Sequence, residues 1–248
     1  MKLNCDLGES FGNWQMGHDE LIMPYIDMAN IACGFHASDP SVMSKTVQLA
    51  KVHNVSIGAH PGYPDLQGFG RREMSMSADE ITDMVIYQIG ALQAVCRAYG
   101  ANVDYVKPHG ALYNTMMKDD VVRGAILKAL AMLSDSAANT LPLMVLSNAQ
   151  SGEIKQHALS YSVPVIFEAF ADRAYTDEGS LVPRNLTGAV LDTDEAIEAH
   201  VIGLIQRQTV TSINGKDIEI MADTICVHGD NLHALESVKK IRQLISSL

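Results

Sequence analysis

A chain of 248 residues can form one large domain or two small ones, and single α/β barrels commonly have this length. Its formal net charge of −11, with no segment rich in lysine and arginine, speaks against nucleic acid or an anionic membrane as partner and leaves small molecules or proteins. The N-terminal MKLNCDLGES lacks the apolar core of a secretory leader and no apolar stretch is long enough to cross a bilayer, so a cytoplasmic protein is expected.

The first strands are expected at Leu3 to Cys5 and Met28 to Cys33. Asp39 followed by Pro40 offers an N-cap and a pre-set first turn for a helix running towards Asn54. After a strand at Val55 to Ala59, Ser77 and Glu80 form a capping box, and Ile81, Val85, Ile89, Leu92, Cys96 and Tyr99 recur at steps of three and four until Gly100 ends the helix. Further strands are expected at Val103 to Val106, Leu143 to Leu146 and Val163 to Phe167. Asp192 and Glu195 are spaced like a second capping pair, with Thr193 as a competing cap. In TSINGKDIEI, Asn214 and Gly215 mark a tight hairpin decorating the last crossover, before a final strand at Thr224 to Val227.

The strand candidates are short and rarely alternate, the pattern of parallel strands covered on both faces. Seven strand-helix units follow one another without a composition shift that would mark a linker, so residues 1–248 read as one domain. There is no G-x-G-x-x-G after the first strand and no G-x-x-x-x-G-K-[ST], which removes the usual evidence for an open nucleotide-binding sheet. The expected fold is a distorted, TIM-like (β/α)7 barrel.

The chemistry collects just past the strands: Asn4, Asp6 and Glu9, then His36, His60 with Asp65, Lys107 with His109, Ser147 and Asn148, Glu168 with Asp172 and Arg173, and His228 with Asp230. In a parallel barrel these positions share the carboxyl-terminal rim, where active sites of such folds are built. One aspartate there commonly caps the next helix, but four of the nine histidines lying past four different strands favour a polar pocket. The glycine-interrupted HPGYPDLQGFGRRE is suited to a flexible cover, and its Arg71 and Arg72 to a carboxylate or phosphate. Asp6, His36, His60, His109, His228 and Asp230 are ligand types for zinc or a similar cation, yet none sit at H-x-H or H-E-x-x-H spacing, so no metal is assigned. Cys5, Cys33, Cys96 and Cys226 show no C-x-x-C spacing and read as reduced residues, those at strand ends packed in the core.

The strings NCDLGESFG, NIACGFHASDP, GAHPGYPDLQGFGRR, VKPHGALYN, FADRAYTDEGSLVPR and CVHGD resemble, in order, motifs of the LamB/YcsF family, which is associated with the bacterial ATP-dependent 5-oxoprolinase. The resemblance runs from the first strand to the last and implies a fold similar to the (β/α)7 barrel of glycoside hydrolases and polysaccharide deacetylases. It further implies opening of 5-oxo-L-proline to L-glutamate with two partner subunits, coupled to hydrolysis of ATP, whose site could lie on this chain or on a partner. Such a reaction needs a base for water, an acid for the departing nitrogen and cations for anionic oxygens. On this sequence the hypothesis is that His60 or His109 carries protons with Asp6 or Asp230 orienting it, Glu168 serving as an alternative base. Lys107, Arg72 and Arg173 would bind anionic oxygens, with Asn4, His36 and His228 beside the substrate. A metal-dependent deacetylase or amidohydrolase, and a non-catalytic lactam-binding regulatory protein, are the rival readings.

Overall fold

Seven of the short apolar runs close on one another as a parallel barrel in the computed structural model, which describes residues 1–134, 136, 139–184, 186–191, 193–227 and 232–247, without the side chains of 232–234. The barrel strands are β1 (Lys2–Leu7), β2 (Met28–Ala32), β3 (Ser56–His60), β4 (Tyr105–Val106), β5 (Leu143–Leu146), β6 (Val165–Phe170) and β9 (Thr224–Val227). They pair in chain order, and β9 closes the ring between β6 and β1. The remaining two strands, β7 (Thr209–Thr211) and β8 (Asp217–Glu219), form the expected antiparallel hairpin inside the last crossover, with Gly215 at φ +84° in its turn.

Side-chain alternation separates two interiors. Leu3, Cys5, Ile57, Ala59, Val106, Leu143, Val145, Ile225 and Val227 join the large apolar layer between the sheet and its helices. The intervening residues point into the barrel, where Met28, Tyr105 and Met144 form a small apolar floor with Ile166 against it. One rung runs Asp6, Asn30, Gly58, Tyr105 across β1 to β4. Gly58 is required there: a Cβ would stand 2.2 Å from the Tyr105 ring, which fills the space above it.

The helices are α1 (Asp19–Ile22), α2 (Pro40–Val52), α3 (Ala78–Ala98), α4 (Gly110–Lys118), α5 (Asp120–Met132), α6 (Ser151–Ser160), α7 (Asp194–Ile202) and α8 (Leu232–Ser247). Local chemistry starts them as the sequence indicates. Asp39 accepts from the backbone N–H of Ser41 and Val42, and Ser77 with Glu80 closes a reciprocal capping box. Thr193 caps α7 by accepting from Ala196 N; its competitor Asp192 lies outside the described residues.

Strand bounds shift in ways that matter for the site. β1 continues through Asp6 and β6 through Glu168, so both carboxylates lie within strands instead of past them. His60 is the last residue of β3. β4 keeps two residues of the four expected; ahead of it the Asp104 side chain accepts from Ser56 Oγ and Ile57 N while its backbone N–H donates to Ile57 O.

Candidate active site

Above the apolar floor the barrel turns polar. Asn4 donates to Thr224 Oγ1 at 3.1 Å and its Oδ1 accepts from Asn30 at 2.9 Å, while Tyr105 OH donates to Asn30 Oδ1 at 2.7 Å. The second Asn30 amide contact, 2.7 Å to Asp6 Oδ1, passes this scaffold on to a carboxylate. Fixed amides of this kind orient charged groups without adding charge of their own.

Lys107 enters the same space from the end of β4. Its ammonium lies 3.0 Å from Glu168 Oε2, 3.2 Å from Asp6 Oδ1, 3.1 Å from Asn4 Oδ1 and 3.2 Å from Cys226 Sγ, with the Phe170 ring 5.4 Å away. Burial alone would push this amine down; the Asp6 and Glu168 carboxylates overcome it and hold Lys107 well above its ordinary range. Burial likewise opposes the Asp6 anion, and His60 with Lys107 more than offsets it, leaving Asp6 well below the usual carboxylate range. Burial also pushes the Cys226 thiol up, so Cys226 is held as a thiol acceptor beside the ammonium.

Three imidazoles gather beside this ion-pair network. His60 Nε2 is 3.3 Å from Asp6 Oδ2 and 2.9 Å from His109 Nδ1. His36 stacks on His109 with ring centroids 3.7 Å apart, and both stand edge-on to His60. Glu9 Oε1 lies 3.4 Å from His36 Nε2 and 3.5 Å from His109 Nδ1. Burial, with the neighbouring rings, drives His36 well down and His109 to about 3. One donor atom from each of Glu9, His36, His60 and His109 lies within 4.8 Å of every other, the geometry of a group that could hold a metal.

The 61–72 loop walls this cluster. Its Phe69 ring stands edge-on to His36 and His109, its Phe69 carbonyl accepts from His109 Nε2 at 2.9 Å, and a Cβ on Gly70 (φ +63°) would meet His36 Cβ at 2.7 Å. Asp65 pins the loop by accepting from Gly68 N and from the Arg72 side chain. The flexible cover expected from the glycines is therefore a fastened wall.

The structure brings together Asn4, Asp6, His36, His60, Lys107, His109 and Glu168. It does not bring in Arg72 as a free anion binder, because Asp65 occupies its guanidinium and is itself brought down to about 2 by that contact. Arg71 is the guanidinium beside the cluster, 5.2 Å over the Phe69 ring. Arg173 is likewise committed elsewhere: buried, it donates to Val182 O at 2.6 Å and Ala189 O at 3.2 Å and fastens the segment after β6. His228 and Asp230 lie outside the described residues. Sequence reasoning passed over Asn30, whose signal was a lone amide inside the apolar strand MANIA, and gave no role to Glu9 or Cys226.

Comparison with known proteins agrees with this geometry. The sequence profile of the LamB/YcsF family matches residues 1–247. The A subunit of 5-oxoprolinase from Vibrio parahaemolyticus is 55% identical over 247 residues, covering 100% of this chain and 96% of its own. The protein of the same description from Chromohalobacter salexigens is 50% identical over 247 residues, covering 99% and 97%. The crystal structure of a lactam utilization protein from Thermus thermophilus superimposes with a TM-score of 0.91 at 38% identity, covering 100% of this chain and 96% of that one. A profile match from the first strand to the last helix, with the same barrel in a solved relative, means that this chain belongs to the LamB/YcsF family.

Proposed function

We propose that this chain is the A component of an ATP-dependent 5-oxoprolinase, opening 5-oxo-L-proline to L-glutamate together with two partner subunits while ATP is hydrolysed to ADP and phosphate. The supporting observation is the buried constellation of Asp6, Glu9, His36, His60, His109 and the Lys107–Glu168 pair at the carboxyl-terminal mouth of the barrel. It stands in a chain whose relatives at 50% and 55% identity are described as A subunits of 5-oxoprolinase.

The chemistry explains why such a mouth is useful. A lactam resists water because its amide is resonance-stabilised and ring opening must release a poor amine leaving group. Transfer of the terminal phosphoryl group of ATP to the amide oxygen removes that resistance; one water then adds to the carbonyl carbon and the ring C–N bond breaks as the nitrogen takes a proton, leaving an acyl phosphate, and a second water releases phosphate to give the carboxylate. Lys107 is enclosed by Asp6, Glu168, Asn4 and Cys226, so it sets the electrostatic field of the mouth instead of offering a free ammonium. The lone pairs and carboxylates around His60 and His109 are where the carbonyl is proposed to react.

The test is reconstitution with candidate partner subunits and measurement of glutamate released from 5-oxoproline with and without ATP. Release that requires ATP and this chain, and that falls at least a hundredfold with Asp6→Asn, is expected, roughly the loss of one preorganised charged group. No product in any combination, or full turnover in the variant, overturns the reading.

A further inference from the structure

The hydrogen bonds around His60 and His109 fix where their protons are. His60 Nδ1 lies 2.6 Å from Lys107 O, and a carbonyl can only accept, so Nδ1 carries the hydrogen. His109 Nε2 lies 2.9 Å from Phe69 O and carries its hydrogen for the same reason. In neutral rings the other two nitrogens, His60 Nε2 and His109 Nδ1, face each other as lone pairs at 2.9 Å. Two lone pairs at that separation repel unless something positive sits beside both.

A proton shared between the rings would answer that one line. It would leave the rest of the cluster unanswered: neither ring nitrogen of His36 has a hydrogen-bond partner among the described residues, and its Nε2 faces the Glu9 Oε1 that also faces His109. Asp6 Oδ2 approaches His60 Nε2 at 3.3 Å from the other side. Histidines that hold metals characteristically donate their second ring N–H to a backbone carbonyl, as His60 and His109 both do here.

From this convergence we infer that the barrel mouth is a binding site for a divalent transition-metal cation, held by His60 Nε2 and His109 Nδ1 with His36 and the Glu9 carboxylate, whose donor atoms all lie within 4.8 Å of one another, and with Asp6 beside His60. Mixed imidazole and carboxylate donors without thiolate suit zinc, cobalt, manganese or iron(II) better than calcium or magnesium. The 20% exposed side chain of Asp6 and the 11% exposed side chain of Glu9 leave a way in. The inference deepens the proposed function by moving His60 and His109 from proton carriers to ligands that present a Lewis acid to the lactam or its phosphorylated form, but the metal site stands on geometry whether or not that reading holds.

The experiment uses the full chain, stripped with chelator and dialysed, then titrated with Zn(II) and separately with Co(II) at neutral pH. Elemental analysis, the visible d–d absorption of bound Co(II) and the melting temperature are the readouts. Expected are one tightly held cation per chain, a Co(II) spectrum of nitrogen and oxygen ligation, and a rise in melting temperature as the ion binds the folded state. His60→Ala and His109→Gln should each lose these signals while retaining the wild-type circular dichroism spectrum, and His157→Ala, outside the cluster, should keep them. Failure of the stripped wild-type chain to bind either ion stoichiometrically, or unchanged binding in a His60→Ala/His109→Gln double variant, overturns the site and leaves a shared proton in its place. Metal binding without ATP-dependent glutamate release in the reconstituted complex would sink the proposed function alone.

Discussion

Replacing Lys107 with methionine tests the buried ion-pair network directly. The methionine fills most of the same volume, so the change removes charge more than packing. It strips the 3.0 Å partner from Glu168, whose side chain is 0% exposed, and one of the contacts to Asp6, Asn4 and Cys226. Asp6 retains His60 and Asn30, but Glu168 keeps only a 3.4 Å contact from Asn4 and the neutral Tyr113 hydroxyl beside it, so the cost is dominated by one carboxylate left without a cation. Breaking a buried pair from one side costs about 3–5 kcal/mol, a large share of the ~5–15 kcal/mol that holds a typical domain together. The exposed pair of Lys128 and Asp79, 2.9 Å apart, provides the contrast: Lys128→Met should leave the unfolding midpoint close to that of the wild type. Urea unfolding at neutral pH reads both as shifts in midpoint at constant slope. Adding Glu168→Gln to Lys107→Met removes the stranded charge, and the double variant should be more stable than the sum of the single changes by ~1–3 kcal/mol. A Lys107→Met protein within about 1 kcal/mol of the wild type, or strict additivity with Glu168→Gln, would refute the reasoning.

Gly58→Ala should destabilise the barrel by roughly 2–4 kcal/mol, combining overpacking against the fully buried Tyr105 ring with strain on its bond to Asn30. Tyr105→Leu in the same chain should relieve most of the overpacking, and a wild-type unfolding midpoint for Gly58→Ala alone would show that the ring does not lie over that glycine. His200 supplies a pH dependence remote from the barrel mouth: its Nε2 faces Phe170 O at 3.1 Å, its ring stacks on Tyr175, and burial lowers it from 6.5 to about 4. Between those values the unfolded chain takes up a proton that the folded chain refuses, so this contribution is complete above 6.5 and falls away with acidification, by about 3 kcal/mol in all once pH drops below 4. His200→Gln should therefore flatten the loss of stability between pH 7 and pH 4 seen in unfolding curves, and an identical pH profile in variant and wild type would contradict it.

What the sequence made legible was whatever is decided locally. The seven apolar runs, the Asp39 cap, the Ser77–Glu80 box and the Asn214–Gly215 hairpin all depend on neighbours a few residues away, and each recurs in the structure. That His36, His60, Lys107 and His109 gather at one end of the barrel followed from strand order alone. Partner choice did not, because it depends on register: Lys107 reaches Asn4 across 103 positions of sequence, and Asn30 meets Tyr105 across 75. Two arginines side by side in GRR look equivalent as text, yet Asp65 captures Arg72 while Arg71 lies over Phe69. Arg173 looked equally suited to an anion until the segment after β6 folded back and gave it two carbonyls.

Why the reactive end lies at the top of the barrel can be argued from where hydrogen-bonding capacity is used up. In the lower polar layer Asn4, Asn30, Tyr105 and Thr224 satisfy one another, so that layer is closed to ligands and serves to hold Asp6 in place. Its geometry depends on a pairing in which Asp6, Asn30, Gly58 and Tyr105 share a rung; a slip of one residue would turn Cys5, Ile31 and Ile57 or Ala59 inward and expel the amides into the apolar layer. The large apolar cluster outside the sheet forbids that slip, because it already holds those same residues. Packing on the outer face of the strands thus fixes the register, register fixes the amides, and the amides aim a carboxylate at His60, beside a His36 ring whose nitrogens have no hydrogen-bond partner among the described residues. Buried polar groups with capacity to spare are costly in a folded chain, and the two unpartnered nitrogens of His36, stacked on His109 and edge-on to His60, are best explained by a cation or substrate that completes them.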